Sequence, residues 1–218
     1  MLVMTSYRPT VDGRSRYFFK PLIPWSSALD HGISESVIII GMEETAVLGT
    51  GCFWCSEAIF QRVKAVKSTK PGYAGGEVEN PSYEQVCDSN TGHAEVVEVV
   101  FDPKVIKYEE LLDIFWQIHD PTTMNRQGND VGPQYRSIIL YTTEEQKLKA
   151  EESRKKLEEA NAFGKPIVTE VKVLSKFYPA ESYHHNYFVK NPNQGYCRAI
   201  IAPKMEHFQK RFGEYLKS

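Results

Sequence analysis

From residue 45 onward, strand-like and helix-like segments alternate, and this alternation limits the chain to folds that combine helices with a sheet. The strand-like segments are residues 45–50, 95–101, 137–141 and 167–174, and the helix-like segments are residues 56–66, 108–118 and 143–160. Residues 72–76, rich in glycine, have the composition of a flexible turn. No internal repeat or linker interrupts this part of the chain. We therefore predict that this part of the chain forms a single domain.

Residues 1–41 do not follow this alternation. They contain Pro9, Pro21 and Pro24 and show no sustained period of a strand or helix. We interpret them as an irregular N-terminal extension, and residues 42–218 as the domain that follows it. Met42 directly precedes the regular part, so a native start at Met42 is a further hypothesis, which the mass of the native N-terminus would test.

Composition and charge exclude several classes of protein. Lys and Arg number 26 against 28 Asp and Glu, so no global positive field is available to bind nucleic acid. A hydrophobic content of 41% excludes a disordered chain. The longest aliphatic run, residues 37–40, is far too short to span a membrane, and no secretory signal is visible. We expect a cytoplasmic protein that binds neither membranes nor nucleic acid.

The 4 cysteines are too sparse for a disulfide scaffold and suit reactive or metal-binding thiols. Cys52 and Cys55 stand three apart where a strand passes into a helix. Unpaired amides and the positive end of the helix dipole at that point favour a thiolate, so Cys52 is a candidate nucleophile. A buried hydrophobic pair is the simpler alternative. A zinc site would need Cys87 and His93, at an unusual spacing.

Other residues near these thiols could contribute to chemistry. Phe53 and Trp54 could form an apolar wall for a small alkyl group. Glu95 opens an apolar strand, where partial desolvation would raise its pKa toward that of a general acid. The loop of residues 119–137 is longer than a structural connection needs, which is typical of a functional loop.

Three histidines and one cysteine farther along the chain have competing interpretations. His119 could be a base, but a histidine at a helix end is more often a partner of the helix dipole. His184 and His185 point in different directions, which argues against a shared metal. Cys197 lies in a Pro/Gly-rich segment from which a thiol could approach another one, as a resolving cysteine must.

Taken together, the motifs resemble those of the peptide methionine sulfoxide reductases of the A type. The matching segments are GCFWC at 51–55, PGYAGG at 71–76, NPSYE at 80–84, TGHAE at 91–95, HDPTTMNRQGNDVGPQYRS at 119–137 and NPNQGYC at 191–197. Their combination and order are specific, although no single segment is. The resemblance implies a ferredoxin-like two-layer α+β sandwich with a mixed sheet, followed by a coil-rich C-terminal segment. It also implies a monomer that needs no cofactor and no metal.

The resemblance further implies an activity and a set of site residues. The substrate would be the S-epimer of methionine sulfoxide, free or in oxidised proteins, and thioredoxin or a similar dithiol would be the reductant. The implied roles are Cys52 as nucleophile, Glu95 as acid, Phe53 and Trp54 as the methyl pocket, and Tyr83, Asp130 and Tyr135 as the polar side of the site. Cys197 would resolve the sulfenic acid, with Cys55 as the alternative, and Cys87 would be structural.

Two other classes remain open at this stage. A thiol-disulfide oxidoreductase would use Cys52 and Cys55 directly on protein disulfides, but it leaves Glu95, Tyr83 and the long loop without a role. A non-catalytic redox or zinc-binding module would carry bound metal.

Overall fold

A computed structural model of the protein describes residues 43–217. The predicted N-terminal extension, residues 1–41, and the hypothetical start at Met42 lie outside the described residues.

Within residues 43–217, eight strands form two sheets. They are β1 (Glu44–Thr50), β2 (Val66–Ala74), β3 (Ala94–Phe101), β4 (Arg126–Gln127), β5 (Asp130–Val131), β6 (Ser137–Tyr141), β7 (Glu170–Val173) and β8 (Phe177–Pro179). The large sheet has the order β7-β6-β1-β3-β2-β8, and β4 and β5 form a small hairpin. Only the β6–β7 pair is parallel among the strands described, so the sheet is mixed.

Six α-helices and four shorter helical turns complete the described part of the chain. The α-helices are α1 (Phe53–Phe60), α2 (Tyr83–Cys87), α3 (Tyr108–Gln117), α4 (Glu144–Glu159), α5 (Tyr187–Lys190) and α6 (Ala202–Arg211). The shorter turns are 3₁₀ helices at Pro133–Tyr135, Ser182–His184 and Gly213–Tyr215, and a π-helical turn at Cys197–Ile201.

The central elements have the connectivity of a ferredoxin-like sandwich. In chain order they are β1, α1, β2, β3, α3 and β6, and in space the strands lie in the order β6-β1-β3-β2. The α-helices pack mainly on one face of the sheet, where α1 contacts β1, β2 and β3. The predicted α+β sandwich with a mixed sheet is confirmed.

Alternation along the strands decides which side chains face the helices. In β3, Val97 and Val99 belong to the main core under α1, whereas Val96 belongs to a small cluster on the opposite face. The period of two therefore places Glu95 on the helix side, beneath the start of α1. In β2 the same rule turns Tyr73 toward the main core.

Two sequence-based predictions differ from the structure because distant segments pair with each other. The helix predicted to run to Val66 ends at Phe60, because Val63 pairs with Leu216 and Val66 begins β2. The segment predicted as a flexible turn is mostly strand, since Gly72, Tyr73 and Ala74 pair with both β3 and β8. Pairing on both sides overrides the turn-like composition, and the turn itself begins at Gly75, which has φ +78°.

The segment after β7 is less irregular than the predicted coil. It contains β8, the short helical turns and α6, and its end returns to the α1–β2 connection. The Lys64 amide donates to the Tyr215 carbonyl at 2.7 Å, and the Lys217 amide donates to the Arg62 carbonyl at 2.9 Å. These bonds hold the C-terminal segment against the connection that follows α1.

Candidate active site

Gly51 forms the turn between β1 and α1, directly before Cys52. Gly51 has φ +94°, and a side chain there would come within 2.7 Å of the Gln127 Cβ. Gln127 is itself fixed, because its amide group exchanges two 3.0 Å hydrogen bonds with the Asp120 backbone. Glycine is therefore required at this position, and the long loop packs directly against the turn. Cys52 follows as the N-cap of α1.

A cavity of about 220 Å³ opens at this N-terminus. It is lined by Cys52, Phe53, Trp54, Tyr83, Glu95, Asp130, Tyr135 and Tyr196. Seven of these eight residues are the predicted nucleophile, acid, methyl-pocket and polar residues. The structure thus brings together side chains from β1–α1, α2, β3 and the 119–137 loop. Tyr196 is the lining residue that the sequence analysis did not single out.

Glu95 lies at the start of α1 and is almost fully buried. The backbone amide of Phe53, the first residue of α1, donates a hydrogen bond to the Glu95 Oε2 atom at 2.9 Å. Burial raises the pKa of Glu95 well above its ordinary value, and the neighbouring Cys52 raises it further. A raised pKa favours the protonated form of the carboxyl group, which can donate a proton.

The helix N-terminus does not make Cys52 a resting thiolate, contrary to the expectation from its position. Burial raises the pKa of Cys52 well above 9.0, and a hydrogen bond with Cys55 adds to this. The Cys52 side chain makes no capping hydrogen bond to the amides of the first turn. Desolvation therefore outweighs the helix dipole, and Cys52 rests as a thiol.

The other cysteines differ in their relation to Cys52. Cys55 is buried beside it, and the hydrogen bond between the two thiols lowers the pKa of Cys55. Cys197 is fully buried in the main core, where burial and the nearby Cys52 raise its pKa. Cys87 is partly exposed, and its thiol is hydrogen-bonded to Tyr83. All four thiols are free in this structure.

Phenols form the polar side of the cavity. Burial raises the pKa of Tyr83 and of Tyr135, so both keep their protons and can donate hydrogen bonds. The Tyr196 hydroxyl donates to Asp130 Oδ2 at 2.6 Å and is also within hydrogen-bonding reach of Cys52 and Cys55. Tyr196 therefore connects Asp130 to the thiol pair. Its position directly before Cys197 in the NPNQGYC motif was the available signal.

Aromatic rings form the apolar side. The Trp54 indole stacks on Tyr187 with ring centroids 3.7 Å apart and planes inclined by 5°. Its Nε1 donates to His184 Nδ1 at 3.0 Å, and the His184 ring also packs against Phe53 and Tyr83. The sequence analysis considered His184 only as a metal ligand and did not predict this contact.

Two other candidates lie away from the cavity. His119 is buried between the Phe115 carbonyl and the Ser137 hydroxyl, each 2.7 Å from one ring nitrogen. Burial lowers the pKa of His119 to about 4, which fits a neutral structural residue. His185 instead contacts Glu57 of α1. Within residues 43–217, no three His, Cys, Asp or Glu side chains come together in a group able to hold a metal ion.

Comparisons with known proteins agree with this geometry. A family model described as peptide methionine sulfoxide reductase matches residues 44–216. The peptide methionine sulfoxide reductase MsrA of Sulfolobus acidocaldarius is 60% identical over 169 residues, which cover 78% of this chain and 95% of that protein. MsrA of Saccharolobus solfataricus is 56% identical over 174 residues, covering 80% and 97%.

Solved structures give the same result. Mxr1 from Saccharomyces cerevisiae in its reduced form superimposes with a TM-score of 0.65 at 36% identity, covering 71% of this chain and 89% of that one. Methionine sulfoxide reductase A of Corynebacterium diphtheriae gives 0.64 at 36% identity, covering 71% and 77%. With the cavity described above, these matches establish that the chain belongs to the peptide methionine sulfoxide reductase family.

Proposed function

We propose that this reductase uses Cys52 and Glu95 to convert methionine S-sulfoxide, free or in oxidised proteins, to methionine. One observation carries the proposal: a thiol and a protonated carboxyl group face one small cavity that is aromatic on one side and phenolic on the other. The substrate's methyl group would contact Phe53 and Trp54. Its oxygen would face Glu95 and the phenols.

The first chemical step transfers oxygen from the substrate to Cys52. The Cys52 sulfur, on losing its proton, attacks the sulfoxide sulfur, while Glu95 protonates the sulfoxide oxygen. Tyr83 and Tyr135 donate hydrogen bonds to that oxygen, and Asp130 holds the polar network or accepts from the substrate's amide. The hydroxyl group then transfers to the Cys52 sulfur as the bond between the two sulfurs breaks. Methionine leaves, the proton lost by Cys52 restores the carboxyl group of Glu95, and Cys52 becomes a sulfenic acid. The sulfoxide is reduced by two electrons and the cysteine is oxidised by two.

The second step forms a disulfide and releases water. The sequence motif favours Cys197 as the attacking thiol, but the contacts described above give stronger support to Cys55. Cys55 is hydrogen-bonded to Cys52 and its pKa is lowered, whereas the pKa of Cys197 is raised. Because the attacking species is a thiolate, we propose that Cys55 attacks first.

Mass mapping after one turnover without reductant tests this assignment. We expect the disulfide to link Cys52 and Cys55 in the wild type and in Cys197→Ser. A Cys52–Cys197 disulfide in the wild type would instead support Cys197, the resolving cysteine that the sequence motif favours.

Thioredoxin or a similar dithiol would then reduce the disulfide, so that the cysteines carry all the electrons and no cofactor is required.

We further propose that residues 42–218 form the catalytic unit and that the protein is a cytoplasmic monomer that binds neither nucleic acid nor membranes. No helix within the described residues is long and apolar enough to cross a membrane.

Incubation with methionine S-sulfoxide and dithiothreitol tests the activity. We expect methionine from the wild type, none from Cys52→Ser, and undiminished product from Cys87→Ser. The competing thiol-disulfide oxidoreductase would reduce a disulfide substrate and yield no methionine, which would overturn the proposal.

A further inference from the structure

His184 contacts three walls of the cavity but does not line it. Its ring is 1% exposed and lies 4.9 Å from the Phe53 ring, 5.7 Å from the Trp54 ring and 4.7 Å from the Tyr83 ring, measured between centroids. A buried imidazole among three aromatic rings must find partners for its nitrogens, or its burial is unfavourable.

The hydrogen bond from Trp54 fixes the tautomer of His184. An indole N–H can only donate, so His184 Nδ1 must be the unprotonated acceptor and Nε2 must carry the proton. Burial also lowers the pKa of His184, which keeps the ring neutral. Nε2 has no hydrogen-bond partner in the described part of the chain, and the Glu181 Oε2 atom lies 3.7 Å away, beyond hydrogen-bonding distance.

Glu181 is itself held in place. Its Oε1 accepts from the Tyr83 amide and its Oε2 from the Tyr73 hydroxyl, both at 2.9 Å. The carboxylate thus faces the protonated edge of His184 with the sign of charge that favours the observed tautomer. A continuous series of contacts runs from Glu181 through His184 to Trp54.

Stacking and hydrogen bonding constrain different motions of Trp54. The parallel contact with Tyr187 at 3.7 Å prevents the indole from tilting, but a stacked ring can still slide or flip within its plane. The bond from Nε1 to His184 is what fixes the ring within that plane. We infer that His184 is a positioning residue that orients Trp54 and thereby makes the apolar wall selective for a methyl group over larger alkyl groups. This inference rests on the proposed function, because it assigns the S-methyl group to Phe53 and Trp54.

The test compares methionine S-sulfoxide with ethionine S-sulfoxide, which carries one more methylene. We expect His184→Leu to lower kcat/KM for the methyl substrate about tenfold, the usual size of one lost buried hydrogen bond, and to lower it less for the ethyl substrate. His184→Asn retains an acceptor near the Nδ1 position and should preserve most of the preference. His184→Gln places its amide near the Nε2 position and should not. His207→Asn, an exposed histidine of α6, is the matched control.

A double-mutant cycle separates positioning from a general structural effect. Since Trp54→Phe removes the indole N–H, adding His184→Leu to it should leave the methyl-over-ethyl preference unchanged. Equal losses for both substrates in His184→Leu, or additive effects on the preference in the double variant, would overturn the inference. If His184→Leu does not fold, equal preferences in the Asn and Gln variants would overturn it. A wild type inactive on methionine S-sulfoxide would instead refute the proposed function.

Discussion

At the scale of single residues, the central feature is that Cys52 and Glu95 are both neutral at rest. Burial raises the pKa of each, and the two groups would repel each other if both were charged. Burial therefore favours the state in which both protons are present before substrate arrives. In the proposed mechanism, a sulfoxide oxygen that accepts a proton from Glu95 leaves a carboxylate, and the sulfur of Cys52 is consumed as the nucleophile in the same step.

This arrangement predicts how Cys52 responds to pH. Alkylation of Cys52 by iodoacetamide, followed by mass spectrometry, should still accelerate at the higher pH where an ordinary cysteine, with a pKa of 9.0, has levelled off. Glu95→Gln cannot give up a proton, so it should reduce kcat/KM for methionine S-sulfoxide by about 10²–10⁴-fold through loss of the general acid. Glu98→Gln, on the same strand but paired with Lys70, is the control. A Cys52 alkylation profile like that of an ordinary cysteine would contradict the raised pKa of Cys52, and an unchanged kcat/KM in Glu95→Gln would refute the role of Glu95 as the acid.

At the scale of elements, a second buried carboxyl group joins α1 to the segment before α5. Glu57 Oε2 accepts from the Asn186 amide at 2.8 Å, and His185 Nδ1 lies 2.7 Å from Oε1. Burial raises the pKa of Glu57 to about 7. These two contacts hold Tyr187, the stacking partner of Trp54, against α1, the helix that begins after Cys52.

Glu57 therefore makes stability depend on pH. Its folded pKa of about 7 exceeds the ordinary 4.5, so the folded state binds the proton more tightly, and its contribution to stability is lost as pH rises through that window. Relative to Glu57→Gln, the wild type should lose up to about 3 kcal/mol of unfolding free energy between pH 5 and pH 8. Urea unfolding of both proteins at the two pH values measures this. Parallel pH dependence would contradict it.

A glycine in the turn after β2 predicts a different effect on stability. A Cβ on Gly76 would lie 2.3 Å from the His93 amide nitrogen and 2.5 Å from the Thr91 carbonyl oxygen, and neither backbone atom can move away freely. Gly76→Ala should lower the unfolding free energy by about 1–3 kcal/mol. Gly195→Ala, where nothing lies within 4 Å, is the matched control and should change it little. Equal midpoints of thermal unfolding would show that the turn tolerates a side chain.

Local patterns predicted the elements whose contacts are local, and failed where distant contacts decide. Alternation located β3 and helical spacing located α3, but the end of α1 depends on the pairing of Val63 with Leu216. The site follows the same rule. Cys52 and Glu95 were predicted from their immediate surroundings and motifs. The Trp54–His184 bond joins residues 130 apart and the Tyr196–Asp130 bond residues 66 apart, and no local pattern reports such contacts.

At the scale of the whole molecule, the cavity beside Cys52 and Glu95 is assembled within residues 43–217. The family model begins at residue 44, where β1 begins. We therefore predict that a protein starting at Met42 retains kcat/KM for methionine S-sulfoxide within about threefold of the full chain. Steady-state assays of both proteins, with circular dichroism to verify folding, provide the comparison. A loss well beyond that range in a folded protein would assign residues 1–41 a role in catalysis.

The return of the C-terminal segment onto the α1–β2 connection also has a consequence for how the protein is made. A ribosome synthesises Cys52 long before His184, Tyr196 and Tyr215, which support the site or close over the base of α1. A nascent chain with the sheet complete and these residues missing lacks the cover that they provide to the nucleophile. Because exposed thiols are the most readily oxidised, Cys52 is most vulnerable to oxidation while the chain is still being translated.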